Sequence, residues 1–548
     1  MIGVAGTRWN GWALACVAIS LLVALPVLSV LASLLAGFDE NWTHLVETRL
    51  GSYLWQTAVL AVGVAVIALV VGTSTAWLVT MCSFPGRGVM RWLLLLPLAV
   101  PGYLAAYAYT DALQFSGPVQ TWLRETFDWG RRDYWFPPIR SLGGAVVILG
   151  FTLYPYVYLA ARTAFAEQSG VALEVGRTLG RGPWHGFFRV ALPLARPSIV
   201  AGLTLVLMET LADFGVADYC AVDTFATGVY RTWKGLESPT TARQLSSVLL
   251  GFVALLVGLE LLARRRAKFH QITHRRTDLR PQPLGRSRGL LALAVCALPV
   301  TVGFVGPAGL FVHMAITEGD ARAWDVLVDH APNTLLLATI AGGIAVVLAL
   351  LVVYGRRLRQ TPTTAVAKRF AGFGYALPGT VIAVGLLAPL GWLDHRLNDL
   401  ARWLTGTTPG LLITGSIVAV VIGYQVRFLG VAIALIDGGL GRVRRGMDDA
   451  ARALGSGGWR LLVRVHLPML RASLAAALLL VFVDVAKELP ATLMLRPFNF
   501  ETLAVRVYQL ASDERLEESA FGALAIIGIG LVPVIVLSLL LDRRRSSR

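Results

Sequence analysis

The chain has 548 residues, 56% hydrophobic and only 15% charged, with a mean hydropathy of +0.65 and a formal net charge of +16. Soluble domains carry about a quarter charged residues, so a soluble globular protein is excluded. Lipid offers no hydrogen bonds to the backbone, and apolar runs of about 20 residues suit helices crossing about 30 Å rather than barrel strands.

Twelve such runs follow in chain order, at 12–37, 54–81, 91–113, 142–163, 194–215, 244–263, 289–315, 333–355, 370–393, 411–436, 471–495 and 519–541. They predict an all-α polytopic membrane protein. The run from Trp12 to Gly37 exceeds a signal-peptide core, so it reads as a retained first span. The spans at 194–215 and 471–495 contain charges. Cys16, Cys82, Cys220 and Cys296 are scattered, form no CxxC pair, and read as small packing residues.

Basic loops stay on the cytoplasmic side. With both termini inside, 33 of the 49 Lys and Arg residues lie inside and the reverse orientation inverts the ratio. The positive charge is thus a topology signal beside anionic lipid, and no nucleic-acid partner is expected.

The densest charge run, Arg264 to Arg288, holds nine basic residues and one acid, with Pro281 and Pro283. It reads as a polar linker between halves 1–263 and 289–548, each with six spans. The halves repeat. With Glu174 over Asp449, "EVGRTLGRGPWHGFFRVALPLARPSIVAGL" lies on "DAARALGSGGWRLLVRVHLPMLRASLAAAL" without a gap, 13 of 30 positions being identical. Pro-Gly recurs at Pro101-Gly102 and Pro378-Gly379, in the third span of each half. "TFATGVY" at Thr224–Tyr230 answers "TLAVRVY" at Thr502–Tyr508. Two parallel pseudo-repeats in one orientation are a recurring transporter architecture.

The repeated loops, 173–193 and 448–468, predict helix–turn–helix. A short helix around Leu173–Leu179 or Asp448–Leu454 stops at Gly180 or Gly455, where a left-handed cap costs glycine little. A second helix ends near the Leu-Pro pair. On it Trp184, Phe187, Phe188 and Leu192, and likewise Trp459, Leu462, Val463 and Leu467, form one apolar stripe. A lipid-facing helix needs only amphipathicity. A fixed frame kept twice fits a shaped protein partner present twice.

These loops resemble the EAA motif of importer permeases of the ATP-binding-cassette class: E-A-A, three residues, G, nine residues, I-x-L-P. The matching residues are Glu174-Val-Gly, Gly180, Val190 and Leu192-Pro193, then Asp449-Ala450-Ala451, Gly455, Val465 and Leu467-Pro468. Trp184 and Trp459 fall at one place in the two copies. The first copy departs from the motif at Val175-Gly176, and the second puts Asp449 in place of Glu. The resemblance implies a type I importer permease whose two loops seat in grooves on two copies of a separate ATPase, with one external binding protein, in the inner membrane of the cell. No Walker A pattern occurs in the chain. ATP is expected to be used by partner subunits, and the chain is expected to be no enzyme and to hold no cofactor of its own.

Ionisable residues inside spans are costly and usually face a cavity or each other. Glu209 and Asp213 lie in the fifth span, and Asp484, Lys487 and Glu488 in the eleventh, with Asp484 and Lys487 spaced to pair and Pro490 ending the helix. Arg427 in the tenth span is a possible counter-ion. These residues read either as a structural ion-pair cluster or as the lining or gate of a path. "KELPATLMLRPFNFETLAV", and more weakly "METLADFG" and "TFATGVYRTW", are similar to the ferric-iron permeases of this class, which implies Fe(III) as substrate. Related fused permeases carry thiamine, polyamines or other small solutes. An ATPase-independent transporter or channel explains the spans and buried charges but not the two docking frames. No catalytic or metal-site pattern is evident. His270 and His274 lie in the solvated linker, and Tyr154, Tyr156 and Tyr158 read as packing aromatics.

Overall fold

The computed structural model describes residues 11–167, 183–265, 281–317, 321–358, 360–456 and 458–546. The described residues are mostly helical. The strand pair consists of Cys82–Ser83 and Gln282–Pro283, two residues each and parallel. Ten helices among the described residues are long and apolar enough to cross a membrane, and two bent helix pairs raise the number to as many as twelve.

Both bent pairs stand where continuous third spans, 91–113 and 370–393, were expected. Arg87–Ala99 meets Gly102–Phe127 at 90°, and Pro362–Ala376 meets Gly379–Thr405 at 118°. The break falls at the repeated Pro-Gly. Pro101 and Pro378 have ψ of 140° and 142°, outside the helical range, and proline supplies no N–H to continue a ladder. Glycine follows because the next helix starts against other chain segments. A Cβ on Gly102 would lie 3.1 Å from Val216, and one on Gly379 would lie 2.9 Å from the Glu488 carboxylate.

The Leu-Pro pairs behave differently from the sequence expectation. The second helix of each loop does not end there but runs on into the span, giving Phe187–Ala212 and Gly458–Ala486. Pro193 and Pro468 cannot donate to the carbonyl four residues back. The turns before them, Phe187–Ala191 and Leu462–His466, widen to π-helix, so the Leu192 N–H reaches the Phe187 carbonyl and the Leu467 N–H reaches that of Leu462. The fifth and eleventh spans then stop at Ala212 and Ala486. Short helices Gly215–Tyr219 and Pro490–Leu495 follow, the second starting at the proline expected to end the span.

The chain forms two compact units. One comprises the residues up to Phe38 with Thr232–Ser247 and Val328–Arg506, and the other comprises Asp39–Arg231, Val248–Leu327 and Val507–Arg548. Their composition crosses the linear order of the repeats. In the first unit, helix Gly11–Ala32 packs on Pro362–Phe373 and Gly379–Thr405. Ser20 donates to the Ala367 carbonyl at 2.7 Å. In the second unit, Leu50–Met81 packs along Leu142–Glu167 and Leu192–Ala212, while helix Gly306–Thr317 packs on Ala520–Ser546. The unit built on each repeat's core thus includes the first span of the other repeat.

The contact of the first span rests on a glycine. A Cβ on Gly385 would sit 2.6 Å from the Pro26 carbonyl oxygen, whereas nothing lies within 4 Å of one on Gly391. Gly385→Val is expected to destabilise the protein by about 1–3 kcal/mol through overpacking, and Gly391→Val by far less. Thermal unfolding of the two variants in detergent checks this; equal melting temperatures would contradict the contact.

Candidate functional site

In the first unit the motif loop of the second repeat begins with helix Arg445–Ala453. Gly455 ends it at φ +81°. Its N–H bonds the Arg452 carbonyl at 2.9 Å, and the Ser456 N–H bonds that of Ala451 at 2.9 Å. This closure needs a left-handed residue, hence the glycine of the frame.

One acid anchors the loop. Asp448 is buried. Arg357, at the end of helix Ala321–Leu358, donates to both its oxygens at 2.8 and 2.9 Å, and to the carbonyls of Leu440 and Val443 at 2.7 and 2.9 Å. His466 Nε2 lies 2.9 Å from Asp448 Oδ1. The Tyr354 hydroxyl donates to the Gly458 carbonyl at 3.0 Å, and its ring stands edge-on to His466. Burial works against the Asp448 charge, but hydrogen bonds from Arg357 and His466 outweigh it and hold the carboxyl below its ordinary range. Arg357 therefore ties the start of the loop to a long apolar helix, and Asp448 links that start to His466 at the loop's other end.

The motif residues lie on the other face. The Asp449 side chain is 72% exposed and pairs with Arg452 at 3.3 Å. Ala450, Gly455 and Pro468 are exposed, and Ala451 and Leu467 half-buried. Leu454 is 86% and Trp459 65% exposed. The single apolar stripe expected along the second helix is not formed. Leu462 is buried while Trp459 and Val463 stay exposed. The first repeat shows the same split: Phe187 packs on Trp77 with ring centroids 4.9 Å apart, and Phe188 is exposed. Leu192 and Pro193 are half-buried. Glu174 and Gly180 lie outside the described residues, as does the Trp184 side chain.

The intramembrane charges take two different roles. Asp484 and Lys487 pair at 3.1 Å, as their spacing predicts. Glu488 has partners of its own. It lies beyond the helix end, where Oε1 accepts the Ala491 N–H at 3.0 Å and Oε2 accepts the Thr492 N–H at 2.9 Å and hydroxyl at 2.7 Å. Arg427 completes the group at 3.4 Å from Glu488, and Tyr424 bonds the Thr492 hydroxyl at 2.6 Å. In the second unit Asp213 does the same for its own short helix, accepting the N–H groups of Val216 and Ala217 at 2.9 and 3.2 Å. Asp213 and Glu488 are separated by the same interval as Glu174 and Asp449. At that interval from Arg427 stands Thr152, which bonds its own helix through the Ile148 carbonyl. Glu209 is half-buried in the helix that Asp213 ends.

Sequence reasoning missed Asp448, Arg357 and His466. The signal available was the Arg356-Arg357 pair closing a span and the Asp448-Asp449 doublet, but nothing local says which acid turns inward.

Residues 68–263 and 342–547 each match the family described as binding-protein-dependent transport system inner membrane component. The chain is 22% identical to the Fe(3+)-transport system permease protein FbpB 2 of Haemophilus influenzae over 95% of this chain and 96% of that one. It is 32% identical to the molybdenum transport system permease protein ModB of Escherichia coli over 29% of this chain and 69% of that one. It is 30% identical to the spermidine/putrescine transport system permease protein PotB of Haemophilus influenzae over 33% and 62%.

Replacing Asp448 by Asn leaves Arg357 buried beside a neutral group, and breaking such a pair costs on the order of 3–5 kcal/mol. Asp449→Asn, on an open surface, is expected to stay within about 0.5 kcal/mol. Because the folded carboxyl titrates lower than the unfolded one, the Asp448 contribution is full above the ordinary carboxylate range and fades as pH falls through the lowered value. Unfolding measured against pH is expected to show an acid-side loss in the native protein that the Asp448→Asn variant lacks. Identical slopes would contradict the anchor.

Proposed function

The chain belongs to the binding-protein-dependent transport system inner membrane components, and on that premise we propose that it is the fused permease of an ATP-binding-cassette importer for ferric iron. The permease role, the inner membrane and a separate ATPase come with the family. The finer parts are our reading: ferric iron as cargo, two ATPase copies and one external binding protein, and both termini and both motif loops in the cytoplasm.

The observation that carries this reading is the two-faced motif loop. Asp449, Leu454 and Trp459 stand in the open, while Asp448 behind them is clamped by Arg357. An exposed apolar and acidic face on a rigid mount suits docking into a protein groove, where aromatic anchors contribute most of the binding energy. A push on this face passes through Arg357 to helix Ala321–Leu358 instead of being absorbed by a loose loop. Closure of two docked ATPases then tilts the spans and alternates access to a path between them.

Ferric iron is favoured because the similarity to the Fe(3+)-transport permease runs through both repeats, whereas the molybdenum and spermidine/putrescine permeases match about one repeat's length. The carboxylates at the broken spans, Asp213 and Glu488, are committed to backbone N–H groups. They serve as fixed elements beside the path rather than as cargo ligands. Asp484 with Lys487, and Glu209, remain the candidates for its lining.

Cells that lack the gene are expected to lose uptake of labelled Fe(III) but not of thiamine or spermidine. The double change Glu174→Lys and Asp449→Lys is expected to abolish co-purification of the ATPase and to reduce uptake to the level of the deletion, since a like charge set against a docking groove costs several kcal/mol. Loss of thiamine or spermidine uptake in place of iron would overturn the substrate. Uptake driven by an ion gradient with no ATPase present would overturn the transporter class.

A further inference from the structure

Tyr103, Tyr107 and Asp111 stand at i, i+4 and i+8 on helix Gly102–Leu113, just after the Pro-Gly break, and so share one face. Tyr107 is fully buried. Its ring lies 5.7 Å from that of Tyr103 and 4.5 Å from that of Tyr219. Among the described residues its hydroxyl is a buried polar atom without a hydrogen-bond partner, a costly state for a group that nothing ever fills. That hydroxyl is within electrostatic reach of Tyr103, Tyr219, Tyr508 and Asp218. Tyr508 donates to Asp218 Oδ2 at 2.8 Å. Tyr219 in turn feels the charges of Asp111 and of the exposed Glu514. All of these residues belong to the second unit.

We propose that Tyr107, Tyr219, Tyr508 and Asp218 form a transient oxygen-donor site for a hard trivalent cation. The inference rests on the ferric-iron reading above and deepens it. Among the described residues no group of three or more His, Cys, Asp or Glu side chains is placed to hold a metal. Phenol oxygens are therefore the main hard donors of these four residues, beside the Asp218 carboxylate. The donors are hydroxyls and a carboxylate, which favours an inorganic cation over an organic one held against ring faces. Each phenol that binds gives up its proton to water, and its oxygen displaces one water or carrier oxygen from the iron, so one Fe–O bond breaks for each that forms. No electron is transferred. The Tyr508 proton is already shared with Asp218. Arg231, 3.5 Å from Asp218, and Arg140, 5.0 Å from the Tyr219 ring centroid, offset the negative charge when the site is empty. They also weaken retention of a cation, as a site on a path requires.

The full chain in lipid nanodiscs, titrated with ferric citrate, reads the site directly through the visible charge-transfer absorption of iron-bound phenolate. The band is expected in the native protein. Tyr107→Phe and Tyr508→Phe are expected to weaken iron binding on the order of 10- to 100-fold. Tyr154→Phe is expected to leave it unchanged, because that hydroxyl bonds the Leu94 carbonyl at 3.0 Å. A native protein without the band, or a band kept in both variants, overturns the site. Uptake by the complete transporter separates the two claims. Unchanged iron uptake in both variants overturns the site and leaves the ferric reading standing. A band with no iron uptake by the native complex overturns the ferric reading and leaves the site standing.

Discussion

A helix that ends inside a membrane exposes the N–H groups of whatever follows, and lipid has no acceptor to give them. The fifth and eleventh spans, which stop at Ala212 and Ala486, are each followed by a short helix that presents such N–H groups. In each a carboxylate, Asp213 or Glu488, turns to the first N–H groups of the next short helix. The negative charge also suits a helix N-terminus. Much of the architecture follows from that requirement. The Pro-Gly breaks put Gly102 and Gly379 beside these carboxylate-capped starts, where a side chain would collide. The breaks in the third and fifth spans of each repeat are thus two parts of one device.

Prolines and acids divide the work along each repeat. At the loop end of the span, Pro193 and Pro468 do not stop the helix. The π turn absorbs the missing donor, and the loop helix becomes continuous with the span. At the far end, Asp213 and Glu488 satisfy a real interruption. A continuous helix thus joins the exposed loop face to an irregular, polar, well-bonded backbone. The Asp448–Arg357 pair gives the second repeat a further link, from the loop to helix Ala321–Leu358. In the second repeat Arg427 pairs with Glu488, and the residue one repeat interval before Arg427 is Thr152.

Periodicity and spacing carried the local features. Apolar length located the spans, the repeat located the loops, and i to i+3 spacing found the Asp484–Lys487 pair. What stayed hidden depends on partners far apart in the chain. Asp448 looked like the neighbour of the motif acid because Arg357, 91 positions away, is what selects it for burial. The apolar stripe failed at Leu462, which is buried while Trp459 and Val463 beside it are exposed. The third spans read as continuous because their hydropathy is continuous; Pro-Gly marked the place but not the 90° and 118° bends. The tyrosine cluster is spread from Tyr103 to Tyr508, so only the fold brings it together.

The central claim is that the exposed face of the Arg445–Pro468 loop is where a separate ATPase takes hold. A photo-crosslinking residue at position 454, in place of the 86% exposed Leu454, tests it in whole cells. The account predicts an adduct with an ATP-binding-cassette ATPase that disappears when Asp449→Lys is added. An adduct with lipid alone, in cells where transport continues, would contradict it.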